Sequence, residues 1–149
     1  MNKRHVTNKL NIAHRRWIYI AFALLLLSGV LWLIFHYFLV SVTPFGNAPH
    51  PLQTWWLKLH GLAAMGMLIA FGSLMPGHIR HAWQQKKNRL SGGTMVAVMI
   101  ILTLTGYALY YFAGEESRPV ISAIHWLIGL AVAPLILLHI FFGRRASER

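Results

Sequence analysis

Four long apolar runs, at roughly 17–42, 52–75, 94–112 and 120–142, alternate with short polar segments along the chain. Each run is close to the ~20 residues that cross a bilayer as a helix. Inside lipid the backbone must satisfy its own hydrogen bonds, so the runs are expected to be helices. The pattern predicts an all-α integral membrane four-helix bundle. It is a single four-span domain over residues 1–149, with spans at about 15–42, 52–76, 92–113 and 119–143. Residues 1–14 form a basic amphiphilic tail, expected as an interfacial helix extending the first span. The segment "SVTPFGNAPHPLQT" (41–54) is rich in Pro and Gly and is expected to be irregular. Trp55 and Trp56 after it suit the aromatic belt of a membrane interface. The segment 76–93 is expected to be a basic polar loop. "AGEESRP" (113–119) is short enough to make the last two spans an antiparallel hairpin.

Composition supports this pattern. The 149 residues are 56% hydrophobic and only 11% charged, more apolar surface than a soluble domain of this size could hide. The formal net charge of +11 could point to nucleic acid, but its distribution does not. Lys3, Arg4, Lys9, Arg15 and Arg16 precede the first span. Arg80, Lys86, Lys87 and Arg89 lie between the second and third, and Arg144, Arg145 and Arg149 follow the fourth. A four-span topology puts all of these on one side and leaves Lys58, Arg118, Glu115 and Glu116 on the other. That is the positive-inside pattern, with both termini cytoplasmic. Membrane lipid is therefore the expected partner of the basic charge, and nucleic acid is not. The first run is longer than a signal-peptide core and no small-residue cleavage site follows it, so it is expected to remain as a span. The chain has no cysteine, which excludes disulfides, thiolate metal sites and thioether-attached haem.

Nine histidines is a high count for such a chain. His5, His14, His50, His78 and His81 fall in tails, loops or interfaces, and His36, His60, His125 and His139 fall within spans. Ionisable groups at membrane depth are costly and mark function. Fourteen residues separate His125 from His139, a rise of about 21 Å that returns to nearly the same helix face. His60, just beyond the tryptophan pair, and His125, just beyond Pro119, lie at similar depth. Two imidazoles at one depth on separate helices suit the axial positions of a haem iron. The alternative is a set of histidines that hydrogen-bond between helices or line a polar cavity. Zinc suits the residues less well, since its ligands cluster locally with cysteine or carboxylates and the only acids are Glu115, Glu116 and Glu148. Gly29 and Gly106, near mid-span, together with Gly61, Gly66, Gly72 and Gly129, could clear room for a flat macrocycle; close helix packing through small residues also explains them. "LLLLSGVLW" (24–32) and "LTLTGYALY" (102–110) hint at an internal repeat.

Together "LSG" with Gly29, "LHGLAAMG" with His60, "LTG" with Gly106 and "IHWLIGLAVAPLILLH" with His125 and His139 resemble the four-helix di-haem b-type cytochromes. These include the membrane subunits of formate dehydrogenases and nickel–iron hydrogenases and small bacterial cytochromes b. The resemblance spans most of residues 14–142. It implies two haems b, the outer one ligated by His60 and His125 and the inner one by His139. The family takes the fourth ligand from the start of the first span, directly before a tryptophan. Here Arg16 precedes Trp17 and the nearest histidine is His14, with His78 as the rival; one haem with an incomplete inner site is the other outcome. Arg15, Arg16, Arg80, Arg144 and Lys58 lie where haem propionates would emerge, though snorkelling to headgroups suits each as well. His36 is expected to pack or to bind a propionate. His78, His81 and Trp83 would line a quinone site near the inner haem. The resemblance implies transmembrane electron transfer in a bacterial inner membrane, between quinone or quinol and a redox partner protein or enzyme subunit. The alternatives are a superoxide:quinone oxidoreductase and a haem-free membrane assembly subunit.

Overall fold

A computed structural model describes residues 11–85 and 89–147. Lys3, Arg4, His5 and Lys9 of the expected interfacial tail, the loop cations Lys86 and Lys87, and Glu148 and Arg149 lie outside the described residues, as does the side chain of Arg144. The described chain is almost entirely helical. Four stretches, Ile12–Tyr37, Pro51–Gln84, Arg89–Tyr111 and Arg118–Gly143, are long and apolar enough to cross a membrane. The chain divides into two compact units, residues 1–80 and 81–149.

In the first unit, helix α1 (Ile12–Tyr37) starts where Asn11 accepts a hydrogen bond from the Ala13 N–H at 3.2 Å, a side-chain N-cap. It ends at Tyr37, short of the expected residue 42, because the apolar run continues as a strand. β1 (Val40–Thr43) pairs antiparallel with β2 (Gly46–Pro49), Thr43 opposite Gly46 and Val40 opposite Pro49. The segment expected to be irregular is thus an ordered hairpin leading into a helix. Its breakers form the turn: Pro44 and Phe45 occupy the corner, and Gly46 has φ +109°, a region side chains disfavour. The Thr43 hydroxyl donates to the Gly46 carbonyl at 2.7 Å and accepts from the Phe45 N–H at 3.3 Å.

Helix α2 (Pro51–Leu74) begins with proline at its first position, where no N–H is needed, and with His50 as N-cap. α1 and α2 are packed against each other. Their buried positions are small or flexible, Ala21 and Ser28 on α1 and Ala63, Met67 and Ala70 on α2, which lets helices approach closely. The expected loop after residue 75 is instead helical. Pro76 cannot donate to the Gly72 carbonyl, and a π-helical turn over Met75–Ile79 absorbs the break before α3 (Arg80–Gln84).

The second unit is a hairpin of α4 (Arg89–Tyr111) and α5 (Arg118–Ser147). The Arg118 guanidinium donates to the Ala113 carbonyl at 3.1 Å and its N–H to the Gly114 carbonyl at 2.9 Å, closing the turn. Met99 and Val132 are its buried apolar side chains. Pro134 lies inside α5, between His125 and His139, and leaves the helix without one N–H. Large apolar side chains such as Leu27, Leu62, Leu104 and Leu137 remain exposed on all four long helices. At about 25 cal/mol per Å² of apolar surface, helices with such faces are suited to lipid rather than water.

Candidate functional site

Each unit places one intramembrane histidine against a hydroxyl–glycine pair on its neighbouring helix. In the first unit Ser28 is the most buried polar side chain, 1% exposed. Its hydroxyl donates back to the Leu24 carbonyl at 2.7 Å, with the Leu25 carbonyl at 3.0 Å. That proton is therefore committed within α1, and Ser28 Oγ acts as acceptor toward His60 Nδ1 at 3.2 Å. The Leu25 carbonyl, which can only accept, stands 3.1 Å from the same nitrogen. Both contacts require the proton on Nδ1. The imidazole then carries its lone pair on Nε2. Gly29 closes the arrangement: a Cβ there would lie 3.0 Å from His60 Cε1 and 3.2 Å from Nδ1. Glycine is what lets this ring lie against α1.

The second unit repeats the geometry. Thr105 Oγ1 donates to the Ile101 carbonyl at 2.8 Å and stands 2.8 Å from His125 Nδ1. While the hydroxyl donates to α4, its oxygen is the acceptor facing the imidazole, an arrangement that puts the ring proton on Nδ1. A Cβ at Gly106 would meet His125 Cε1 at 3.3 Å. An imidazole anchored at Nδ1 is a neutral Nε2 donor of fixed orientation, the usual outer-sphere arrangement of a metal-ligating histidine. The faint sequence repeat is therefore a repeat of local geometry: Ser28–Gly29 serves His60 as Thr105–Gly106 serves His125.

At the end of each unit away from its interhelical turn, the repeat persists with roles exchanged. His14 on α1 lies 2.7 Å from Ser73 on α2, whereas Ser91 on α4 lies 3.2 Å from His139 on α5. The spacing of His14, Ser28 and Gly29 along α1 matches that of Ser91, Thr105 and Gly106 along α4. The two histidines are not held alike. His139 meets its serine through Nδ1. His14 meets Ser73 through Nε2, and Ser73 commits its own proton to the Ala70 carbonyl at 2.6 Å. His14 Nε2 is thus a donor in this arrangement, and iron ligation by that nitrogen would require it to leave Ser73.

The remaining sequence candidates are dispersed. His78 lies in the π-helical turn. His36 stacks on Trp32 at 4.6 Å and 11° and accepts from Gln53 at 3.0 Å. His81 lies 2.7 Å from the Gln85 amide nitrogen, and the Trp83 carbonyl accepts from Arg89 at 2.9 Å while its ring lies 5.3 Å from the guanidinium. Arg15, Arg16 and Arg80 are exposed, and Lys58 rests over the Trp55 ring at 4.8 Å. A Cβ at Gly61, Gly66 or Gly72 would meet nothing within 4 Å, and one at Gly129 would meet only Leu102, at 3.9 Å. Among the described residues no three His or carboxylate side chains gather as a local metal cage. The residues that sequence reasoning missed are the hydroxyls Ser28, Thr105, Ser73 and Ser91. Two of them stood in plain sight, directly before the glycines of "LSG" and "LTG". No family model, curated protein or solved structure matches the chain.

Proposed function

We propose that the protein is a membrane b-type cytochrome that moves electrons across a bilayer between quinone or quinol and a redox partner. The observation that carries this reading is a pair of histidines each held at Nδ1 by the neighbouring helix. His60 and His125, one in each unit, are both anchored at Nδ1, which puts the lone pair on Nε2, the kind of neutral imidazole nitrogen that haem iron takes. In this reading they are the two ligands of one haem b, with Gly29 and Gly106 giving each ring its seat. His139 is the first ligand of a second haem. His14 is its partner after releasing Ser73, and His78 is the alternative. The group supplies one-electron redox chemistry, and the chain sets its potential through ligand orientation, hydrogen bonding and burial.

The basic residues support an orientation with both termini cytoplasmic; the bacterial inner membrane is what the family resemblance implies. Arg15 and Arg16 open α1 and Arg80 follows α2; Arg89 opens α4 and Arg145 closes α5. Within each antiparallel unit these cations fall at the end away from the interhelical turn, as the positive-inside rule expects. His78, His81 and Trp83 are the groups this reading assigns to quinone, near the second haem. The test is a reduced-minus-oxidised absorption spectrum with pyridine haemochrome stoichiometry on the purified protein. A low-spin b-type spectrum with two haems per chain is expected. A protein that purifies and folds without haem would contradict the reading.

A further inference from the structure

From Trp17 to Leu57 the chain carries no Lys, Arg, Asp or Glu. That stretch includes the whole β-hairpin between α1 and α2. The turn joining α4 to α5 is built differently, with Glu115, Glu116 and Arg118 in it, as suits a segment in water. The alternation of the hairpin is also inside out. In β1, Val40 and Val42 are exposed while Ser41 and Thr43 are half-buried. A strand in water shows its polar residues and hides its apolar ones; a strand against lipid does the reverse. Residues directly opposite share a face, so Val40, Val42, Pro49 and Asn47 make up the exposed surface, with Asn47 its one polar side chain. Phe45 at the tip is 100% exposed, Val42 87%, and Phe38 just ahead of β1 80%. Tyr37 and Trp55, on either side of the hairpin, are exposed as well. Exposed apolar side chains therefore continue, with no charged break, from the lipid-suited faces of α1 and α2 across the hairpin.

The backbone sets the depth. From Trp17, just past Arg16, to Tyr37 the helix rises about 30 Å, the thickness of the hydrocarbon layer, so the hairpin begins at its boundary. A two-stranded sheet has two open edges whose N–H and C=O groups need water or headgroups, which keeps it out of the hydrocarbon itself. The tip meets part of that need internally, through the bonds of the Thr43 hydroxyl to Gly46 and Phe45. We propose that the β-hairpin is an interfacial anchor: it lies along the boundary between headgroups and acyl chains, with Val40, Val42 and Phe45 turned into lipid. This rests on the long helices crossing a membrane and goes beyond the cytochrome reading, since it involves no haem.

The chain has no cysteine, so a nitroxide can be attached at single sites of the full-length protein. Val42→Cys and Phe45→Cys, each spin-labelled and reconstituted into phosphatidylcholine vesicles, are compared for collision with oxygen, which concentrates in lipid, and with a water-soluble nickel chelate. Leu62→Cys on α2 marks the lipid limit and Glu116→Cys the water limit. Asn47→Cys, on the same face as Val42, is a second reporter in case the strand does not tolerate the change at 42. The oxygen-to-nickel collision ratio at positions 42 and 45 should be several-fold above that at 116 and below that at 62. A ratio equal to that at 116 overturns the anchor and leaves the helices in the membrane. Shielding of 42 and 45 from both reagents means that protein covers the hairpin, which overturns the anchor as well; spin–spin broadening would identify that protein as a second copy. If the label at 62 also reads as water, the membrane placement falls with the anchor.

Discussion

Thr105 Oγ1 stands 2.8 Å from His125 Nδ1 while its proton is committed to the Ile101 carbonyl. While the hydroxyl donates to Ile101, the imidazole facing its oxygen carries the proton on Nδ1. Thr105→Val keeps the shape and removes the acceptor. Loss of such an outer-sphere partner typically costs 10–100-fold in metal affinity, so, on the proposed cytochrome reading, Thr105→Val should weaken haem retention by about that factor. Haem-to-protein ratio after dilution into apomyoglobin, a competing haem acceptor, measures it.

Ser28→Ala should act in the same direction with a smaller effect. The Leu25 carbonyl, 3.1 Å from His60 Nδ1, still accepts after the hydroxyl is gone, so the tautomer is preserved. The same competition assay should give a loss of less than about tenfold.

A side chain at Gly29 collides with the His60 ring. The added Cβ would stand 3.0 Å from His60 Cε1, against 3.3 Å for the matching contact of Gly106 with His125. Overpacking of this kind costs roughly 1–3 kcal/mol. Gly29→Ala should therefore lower haem content and thermal stability more than Gly106→Ala. Gly66→Ala, with nothing within 4 Å of the new atom, should change neither. Thermal unfolding followed at the haem absorption band separates the three.

Ser73 holds His14 by the nitrogen that iron would take. If His14 is the fourth ligand, His14→Ala should reduce haem stoichiometry from two to one, and Ser73→Ala should leave it at two. If His78→Ala, rather than His14→Ala, removes the second haem, the ligand belongs to the π-helical turn.

The four long helices were legible because their apolar length exceeds anything a soluble fold requires, and the histidine positions were legible because imidazole is costly at that depth. Hydropathy could not place the end of α1, since Val40 and Val42 are as apolar in a strand as in a helix. Nor could it tell that Pro44, Phe45 and Gly46 form a tight turn. The loop expected from residue 76 begins instead as helix, because a helix can widen by one residue and continue. The hydroxyls escaped notice because serine and threonine within a helix ordinarily bond their own backbone. Ser28 and Thr105 do that as well, and the spent proton is what makes them acceptors for a histidine. The faint repeat between the first and third spans gained weight only once both of its hydroxyl–glycine pairs were seen against an imidazole.

The central claim is that His60 and His125 bind the same iron. Low-temperature electron paramagnetic resonance of the oxidised protein tests it most directly, comparing the unaltered chain with His60→Ala and His125→Ala. Each variant should lose the same low-spin bis-imidazole signal and keep the other. Loss of different signals in the two variants, or retention of every signal in either, would contradict it.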